Sequence, residues 1–356
     1  MLLANGWTEY KILCSGDGEK LEDWNGIKLL RPDPQIIWPS KTDLSRHNGL
    51  HARYTRSATG GGRWESLQSM PEEWDIHYKD LTFRIKPTGF KHTGLFPEQA
   101  ANWDMIRALI RTKNEKRKTK NEGQGSEELG IRSEELGVLD KAKSGGAERR
   151  SLTENRLLNS SAVPHFSFLT PHSSPRVLNL FAYTGGATAA CAKEGAFVTH
   201  VDAAKGMVER AKLNCKLSGI GEKNVRWIVE DCKKFLTREL RRGQTYDAII
   251  MDPPSYGRAP DGEVWKLEDN LFGLVELCAK VLSPEPLFFL LNSYTTGLGA
   301  SVMQNLLNIA LKPFMGTVEA YELCLPTEEE GICLPCGNSA VWTTHNAHRT
   351  MHNEGQ

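Results

Sequence analysis

From Arg176 onward the chain alternates short apolar runs with segments of helical period. RVLNLF (176–181), FVTHV (197–201), VRWIV (225–229), YDAIIM (246–251) and PLFFLL (286–291) have the length and continuity of strands buried on both faces. Between them, 186–194, 203–217, 231–241 and 266–283 place apolar residues at helical spacing. Strand and helix in this order predict an α/β fold with a doubly wound parallel sheet over 175–345. Residues 1–87 read differently. Tyr10–Cys14, Ile27–Leu30 and the strictly alternating Leu81–Ile85 are short apolar runs separated by Gly and Pro, which predicts a small β-rich N-terminal domain. A connecting segment, 88–112, contains the helical stretch PEQAANWDMIRALIRT at 97–112, with Pro97 placed for a first turn and Trp103, Ile106 and Ile110 on one stripe.

The pattern stops between about Lys113 and Ser174. A cationic run gives way to Gly, Ser and Glu, SEELG occurs at 126–130 and again at 133–137, and large apolar residues are sparse. Such a stretch cannot offset the entropy of ordering, so 113–174 is expected to be a flexible insertion, with an RNA-binding basic arm as the alternative. The polar tail 346–356 is expected to be disordered. Composition changes little else. Lys plus Arg and Asp plus Glu both number 44 in 356 residues, so no net basic charge argues for nucleic acid, although a local basic face stays open. No secretory leader or membrane-length apolar run is evident, and eight scattered cysteines do not form a secreted framework; the expectation is a cytoplasmic protein.

Ligands of doubly wound sheets bind beyond the strands' C-terminal ends, which makes the residues after each strand the informative ones. After the first comes Tyr183-Thr184-Gly185-Gly186, a tight turn opening a helix, read either as a ligand turn or as a structural glycine turn. It lacks G-x-G-x-x-G and the G-K-[ST] of a phosphate loop. After the second comes Asp202, suited to a ribose diol. After the third come Glu230 and Asp231; Asp231 is also a natural helix N-cap. After the fourth comes Asp252-Pro253-Pro254-Ser255-Tyr256-Gly257. Two prolines stiffen that loop and are expected to leave neighbouring carbonyls pointing outward, with Asp252 and Pro253 to hold an amino group and Tyr256 to stack on a base. Trp265 and Lys266 follow closely as candidate substrate contacts, Trp265 being equally a packing residue. Cys333 and Cys336 form a lone C-x-x-C, read as lying in a loop, with no second ligand pair for a metal.

At these residues the chain resembles the class I S-adenosylmethionine-dependent methyltransferases, and within them the ribosomal RNA large-subunit methyltransferase family. LNLFAYTGGAT (178–188), THVDAAKGMVERAKLN (199–214), VEDCKKF (229–235) and IIMDPPSYG (249–257) look like that family's successive motifs. KHTGLFPEQAANW (91–103) is similar to its K-T-G-[FL]-F-x-x-Q segment; the likeness covers about 80–112 and 175–345. It implies a Rossmann-like domain that takes S-adenosyl-L-methionine at Tyr183, Thr184, Gly185, Gly186, Asp202, Asp231 and Asp252, with Thr93, Phe96 and Gln99 nearby. It implies RNA, and ribosomal RNA first, as partner. Asp252, Pro253 and Tyr256 become the catalytic candidates, and Tyr256, Trp265 and Lys266 the substrate contacts.

One departure bears on the chemistry. Members that methylate cytosine C5 carry Ser-Cys-Ser after the fifth strand; here the aligned residues are Leu291-Asn292-Ser293-Tyr294-Thr295-Thr296, without a thiol. C5 chemistry needs a covalent adduct, so a nitrogen of the base is the expected acceptor. The competing expectations are a methyltransferase for a small molecule or protein, a non-catalytic RNA-binding module with a vestigial cofactor fold, and a nicotinamide oxidoreductase, the last disfavoured by the missing glycine fingerprint.

Overall fold

The computed structural model describes residues 1–57, 61–89, 91–117, 119, 174–258, 264–295 and 297–345. Met1–Thr112 and Ser174–Gln356 form one compact unit, whereas Lys113–Ser173 is a separate one. The expectations of a flexible insertion and a disordered tail therefore fall almost wholly outside the described residues, as do 346–356.

A single sheet organises the large unit. From one edge it runs β11 (Val225–Val229), β10 (Phe197–Asp202), β9 (Arg176–Leu180), β12 (Ala248–Met251), β15 (Phe288–Ser293), β17 (Cys333–Thr344), β16 (Gly316–Pro326) and β1 (Leu2–Leu3). The strand order reverses between β9 and β12, both parallel to their neighbours, which opens a crevice at their C-terminal ends. The five apolar runs of the sequence all appear as strands. β16 and β17 close the sheet as an antiparallel pair of longer, more mixed strands. Cys333 and Cys336 lie inside β17, not in a loop: Cys333 pairs with Pro326, Cys336 sits at the register shift between the Cys324–Pro335 and Leu323–Gly337 pairs, and partial burial of this edge permits polar positions that hide the strand in sequence.

Helices cover both faces. α1 occupies residues 100–117, preceded by a 3-10 turn over Pro97–Gln99, and α2 (Gly186–Lys193), α3 (Lys205–Leu217), α4 (Cys232–Arg241), α5 (Leu267–Ala279) and α6 (Ala300–Ala310) follow. Two apolar clusters result. One joins Trp103, Ile106, Ile110, Val177, Val198 and Phe288 to the N-terminal residues Ile12, Trp24 and Phe83. The other packs Leu178, Leu180 and Phe289 against α4, α5 and α6. The N-terminal β-rich region is a five-stranded sheet in the order β2 (Tyr10–Gly16), β3 (Glu19–Trp24), β4 (Ile27–Pro32), β5 (Leu50–Arg56) and β6 (Gly62–Ser66), followed by the hairpin β7 (Trp74–Tyr78) and β8 (Leu81–Ile85). Leu2 and Leu3 belong to the large sheet instead, pairing with Leu323 and Cys324.

The hairpin edge meets α3 through side chains. Ser218 Oγ accepts the Thr82 N–H at 3.0 Å, and the fully buried Asn214 accepts the Arg84 N–H at 2.9 Å. Beneath α2, Asn179 Nδ2 donates to Thr188 Oγ1 at 2.9 Å, and that hydroxyl lies 2.9 Å from His200 Nδ1. Burial pushes the His200 pKa down to about 3. A histidine held neutral in the fold contributes stability above its unfolded pKa near 6.5, which is lost as pH falls from there toward the folded value. The difference reaches on the order of 2 kcal/mol at pH 5. Urea midpoints at pH 7.5 and pH 5 are expected to diverge for the parent chain and to diverge by markedly less for His200→Gln; equal pH sensitivity of the two proteins overturns this assignment.

Candidate active site

The crevice is built on the turn that leaves β9. Phe181 and Tyr183 sit at φ +53° and +48°, a left-handed conformation rare for bulky residues, and Gly185 follows at +84° as the N-cap of α2. Three neighbours hold it, Asp202, Asn214 and Gly94. The Tyr183 N–H donates to Asp202 Oδ2 at 2.9 Å, and Asp202 Oδ1 accepts the Ala204 N–H at 2.8 Å. Asn214 Nδ2 donates to the Thr184 carbonyl at 2.9 Å, and Thr184 Oγ1 donates to the Gly94 carbonyl at 2.6 Å. The glycines answer first to packing: a Cβ on Gly185 would come within 2.8 Å of Ala211 Cβ, and one on Gly186 within 2.5 Å of the Trp103 ring. α3 and α1 fill the space on the side where those side chains would lie.

Asp202 ends β10, and Val229 is its register partner on β11, half exposed at the rim. Burial raises the Asp202 pKa, against the two N–H bonds that lower it. A carboxylate has about four lone-pair sites, so two N–H bonds leave capacity for hydroxyls. Asp231 is the N-cap of α4, its Oδ1 accepting the Lys234 N–H at 2.9 Å, so of its two readings the capping one is realised. Glu230 pairs with Arg238 at 2.5 Å.

After β12 the loop is braced from several sides. The Trp265 indole N–H donates to the Pro254 carbonyl at 2.6 Å, Ser255 Oγ and Thr295 Oγ1 lie 2.6 Å apart, and the Leu267 N–H donates to the Ser255 carbonyl. The Pro254 carbonyl is thus engaged rather than projecting, and Trp265, with its ring 6.0 Å from Phe181, is a packing residue of the loop. β13 (Tyr256–Arg258) and β14 (Val264–Lys266) form a hairpin that sets Tyr256 opposite Lys266. The Tyr256 ring is 56% exposed, and Lys266 is exposed beside it.

The segment 91–99 crosses toward this turn. Phe96 lies 5.3 to 5.5 Å from the rings of His92, Tyr183 and Tyr294. Gln99 Nε2 donates to the Tyr294 hydroxyl at 2.9 Å, and its Oε1 accepts from Asn102 at 2.9 Å and Asn292 at 3.3 Å, in a buried amide network that also holds Ser339. Gln99 is therefore anchored to β15 and β17. Sequence reasoning passed over Glu98, Tyr294 and Asn214. Glu98 is buried, and its carboxyl is raised by that burial. Burial, then the charge of Glu98, pushes Asp252 up to about 7.

One buried polar group bears on whether a nucleoside cofactor without phosphate suits these residues. The Thr93 hydroxyl is completely buried without a hydrogen-bond partner among the described residues. Such a group costs about 1–3 kcal/mol unless something completes it, and it lies in the segment bonded to the Phe181–Gly185 turn through Gly94. An open-ended carboxylate at Asp202, an exposed Val229 and the Phe96 and Tyr183 rings complete a donor set of that kind. The residues fit.

Residues 169–269 match the family model described as S-adenosylmethionine-dependent methyltransferase. A crystal structure of the SAM-dependent methyltransferase from Agrobacterium tumefaciens is similar over 96% of this chain and 92% of its own, with a TM-score of 0.74 and 29% identity. A putative methyltransferase complexed with SAH covers 95% of the chain at TM-score 0.60 and 16% identity, and shows the fold alone. Among curated relatives, the ribosomal RNA large subunit methyltransferase I of Aeromonas salmonicida is 35% identical over 88 residues, 24% of this chain and 22% of that protein. The K/L enzyme of Desulfotalea psychrophila is 32% identical over 111 residues, 31% of this chain and 15% of its own length. The chain thus spans about a fifth of these curated relatives. The domain is Rossmann-like, and the family that its residues 169–269 match is described as S-adenosylmethionine-dependent.

The packing of the turn is open to a direct check. Gly186→Ala is expected to cost about 1–3 kcal/mol by overpacking against Trp103, and most of that penalty should vanish in a Trp103→Phe background. Strictly additive unfolding free energies for the two substitutions would show that the ring does not set the need for glycine.

Proposed function

We propose that this chain, similar over residues 169–269 to the S-adenosylmethionine-dependent methyltransferase family model and along most of its length to one solved methyltransferase, transfers a methyl group to a nitrogen of an RNA base, with ribosomal RNA as the first substrate to test. The observation that carries this reading is Asp252, a carboxyl at the C-terminal end of β12 whose pKa is raised to about 7, on a loop that presents an exposed Tyr256. The relatives named above as ribosomal RNA methyltransferases support RNA as the acceptor class.

S-adenosylmethionine, when bound, supplies an electrophilic methyl group, so the protein's task is mainly placement. Thr93, Phe96, Tyr183, Thr184 and Asp202 are the residues assigned to hold it, with Gly185 and Gly186 shaping the turn, Asp231 at the rim and Gln99 anchoring the segment. Asp252 accepts the hydrogen bond of the acceptor N–H and takes up the proton that the nitrogen must lose. The Pro253–Pro254 pair keeps that carboxyl in place, and Tyr256 offers its ring to the base face, with Lys266 opposite it in the hairpin. A base inside a helix is out of reach of such a loop, so an unpaired or flipped-out base is required.

Nitrogen rather than cytosine C5 is supported by the state of the thiols. A covalent adduct needs a thiolate. Burial pushes the thiols of Cys191, Cys215, Cys232, Cys278, Cys324 and Cys336 up, and for Cys336 the charge of Glu98 adds to it. Tyr294 stands in the strand-end stretch where the resemblance would place a cysteine.

The test is transfer of labelled methyl from S-adenosylmethionine to ribosomal RNA from an unmethylated source, followed by nucleoside analysis. A methylated base nitrogen is expected, with a rate that climbs up to about pH 7 and then levels off as Asp252 ionises. Asp252→Asn is expected to lower the rate at least a hundredfold, on the order of a lost general base, and to abolish the climb. Calorimetric cofactor binding without transfer to any RNA would refute the substrate assignment and leave the cofactor site standing.

A further inference from the structure

The N-terminal sheet brings an excess of positive charge to the segment that reaches the cofactor turn. Arg31 Nη1 donates to the Lys91 carbonyl at 2.8 Å. The Trp64 indole N–H donates to the Thr88 carbonyl at 2.8 Å, and Thr88 closes on the His92 carbonyl through both its N–H and its hydroxyl. These bonds fix the segment against the β5–β6 hairpin, on which Arg56 lies opposite Gly62. From His92 the rings continue to Phe96 and on to Tyr183 and Tyr294 at the active site.

Most cations here are matched. Glu22 takes Arg31 at 2.5 Å, and Asp33 takes Lys20 at 3.1 Å. Arg56 and Lys91 are not: among the described residues neither has a carboxylate within ion-pair distance. Burial lowers the pKa of Lys91; the attraction of Asp33 opposes this, and repulsion from Lys20, Arg56 and Arg31 adds to it. His92, held down to about 4 by burial and by Arg31, Lys91 and Lys20, adds no charge of its own and leaves a neutral ring next to Phe96. A crowded, under-neutralised pair of cations is a site that gains from an external anion.

We propose that Arg56 and Lys91 bind the phosphodiester backbone of single-stranded nucleic acid and lead it along His92 and Phe96 to the methyl-transfer site. The surface is polar and its cations adjoin stackable rings, the combination that single strands select. An anionic lipid surface would not use the rings that lead inward to Tyr183 and Tyr294. The inference rests on the RNA reading above and gives it an entry path distinct from Tyr256 and Lys266.

The experiment measures binding of a short fluorescent single-stranded RNA to the full chain by anisotropy across a salt series. Arg56→Gln combined with Lys91→Met is expected to weaken binding roughly tenfold at about 0.1 M salt, and to lower the log–log salt slope by about 0.7 per cation removed. Lys91→Arg should retain most of the parent affinity. Unaltered melting temperature and S-adenosylmethionine affinity in the double variant establish that the fold is intact. Parent and double variant binding RNA with the same slope would overturn the path and leave the RNA reading intact. A parent that binds the cofactor but no RNA would end both. Tighter binding to phosphatidylserine vesicles than to RNA, lost in the double variant, would assign the cations to a membrane and overturn the proposal.

Discussion

Five consecutive residues after β9, Phe181 to Gly185, connect every layer of this protein. The backbone there runs through left-handed angles at two aromatic residues, a conformation that persists only where its surroundings over-determine it. Asp202 fixes one amide, Asn214 fixes one carbonyl, Thr184 reaches back to the carbonyl of Gly94, and the glycine that follows lies against Trp103. Sheet, α3, the segment ahead of α1 and α1 itself all meet in this turn. The fold thus spends these polar side chains on positioning a backbone, and the shape of the crevice at the end of β9 follows from that backbone.

Asp202 shows why a single role is too simple for such residues. Its two oxygens already accept two amides, and burial still raises its pKa. Substituting it removes turn geometry as well as any bond to a ribose, so lost cofactor binding in an Asp202 variant does not separate the two. Thr93 is the cleaner reporter. Among the described residues its hydroxyl holds no partner, so its removal breaks none of the bonds seen there.

The strands of the parallel half were legible because burial on both faces forces continuous apolar runs, and the helices because one face of each is buried. β16 and β17 were not legible: their alternating, partly exposed positions include Glu319, Glu322 and Asn338 within an antiparallel pair. At the site, the sequence located the strand ends but could not rank their acids. Asp202 accepts two backbone N–H groups at the turn and Asp252 is raised to about 7, whereas Asp231 caps a helix and Glu230 pairs with Arg238. An acid after a strand and before a helix carries both signals at once. Asn214 and Glu98 were invisible for a different reason. Their partners lie 130 and about 150 residues away along the chain, where no local pattern reports them.

The electrostatics of the two regions are complementary. In the N-terminal sheet, burial alone would raise Glu22, but Arg31 and Lys20 outweigh it and hold the carboxyl at about 2. Around Asp252 no cation offsets burial, and Glu98 adds a second acid instead. A carboxyl in the first setting is locked in its charged form, suited to fixing a backbone; one in the second titrates near neutrality, suited to exchanging a proton. The segment 91–99 spans both, bonded to Arg31 at Lys91 and adjoining Asp252 through Glu98. The zero net charge of the chain conceals this division, because a composition sums the two regions that the fold keeps apart.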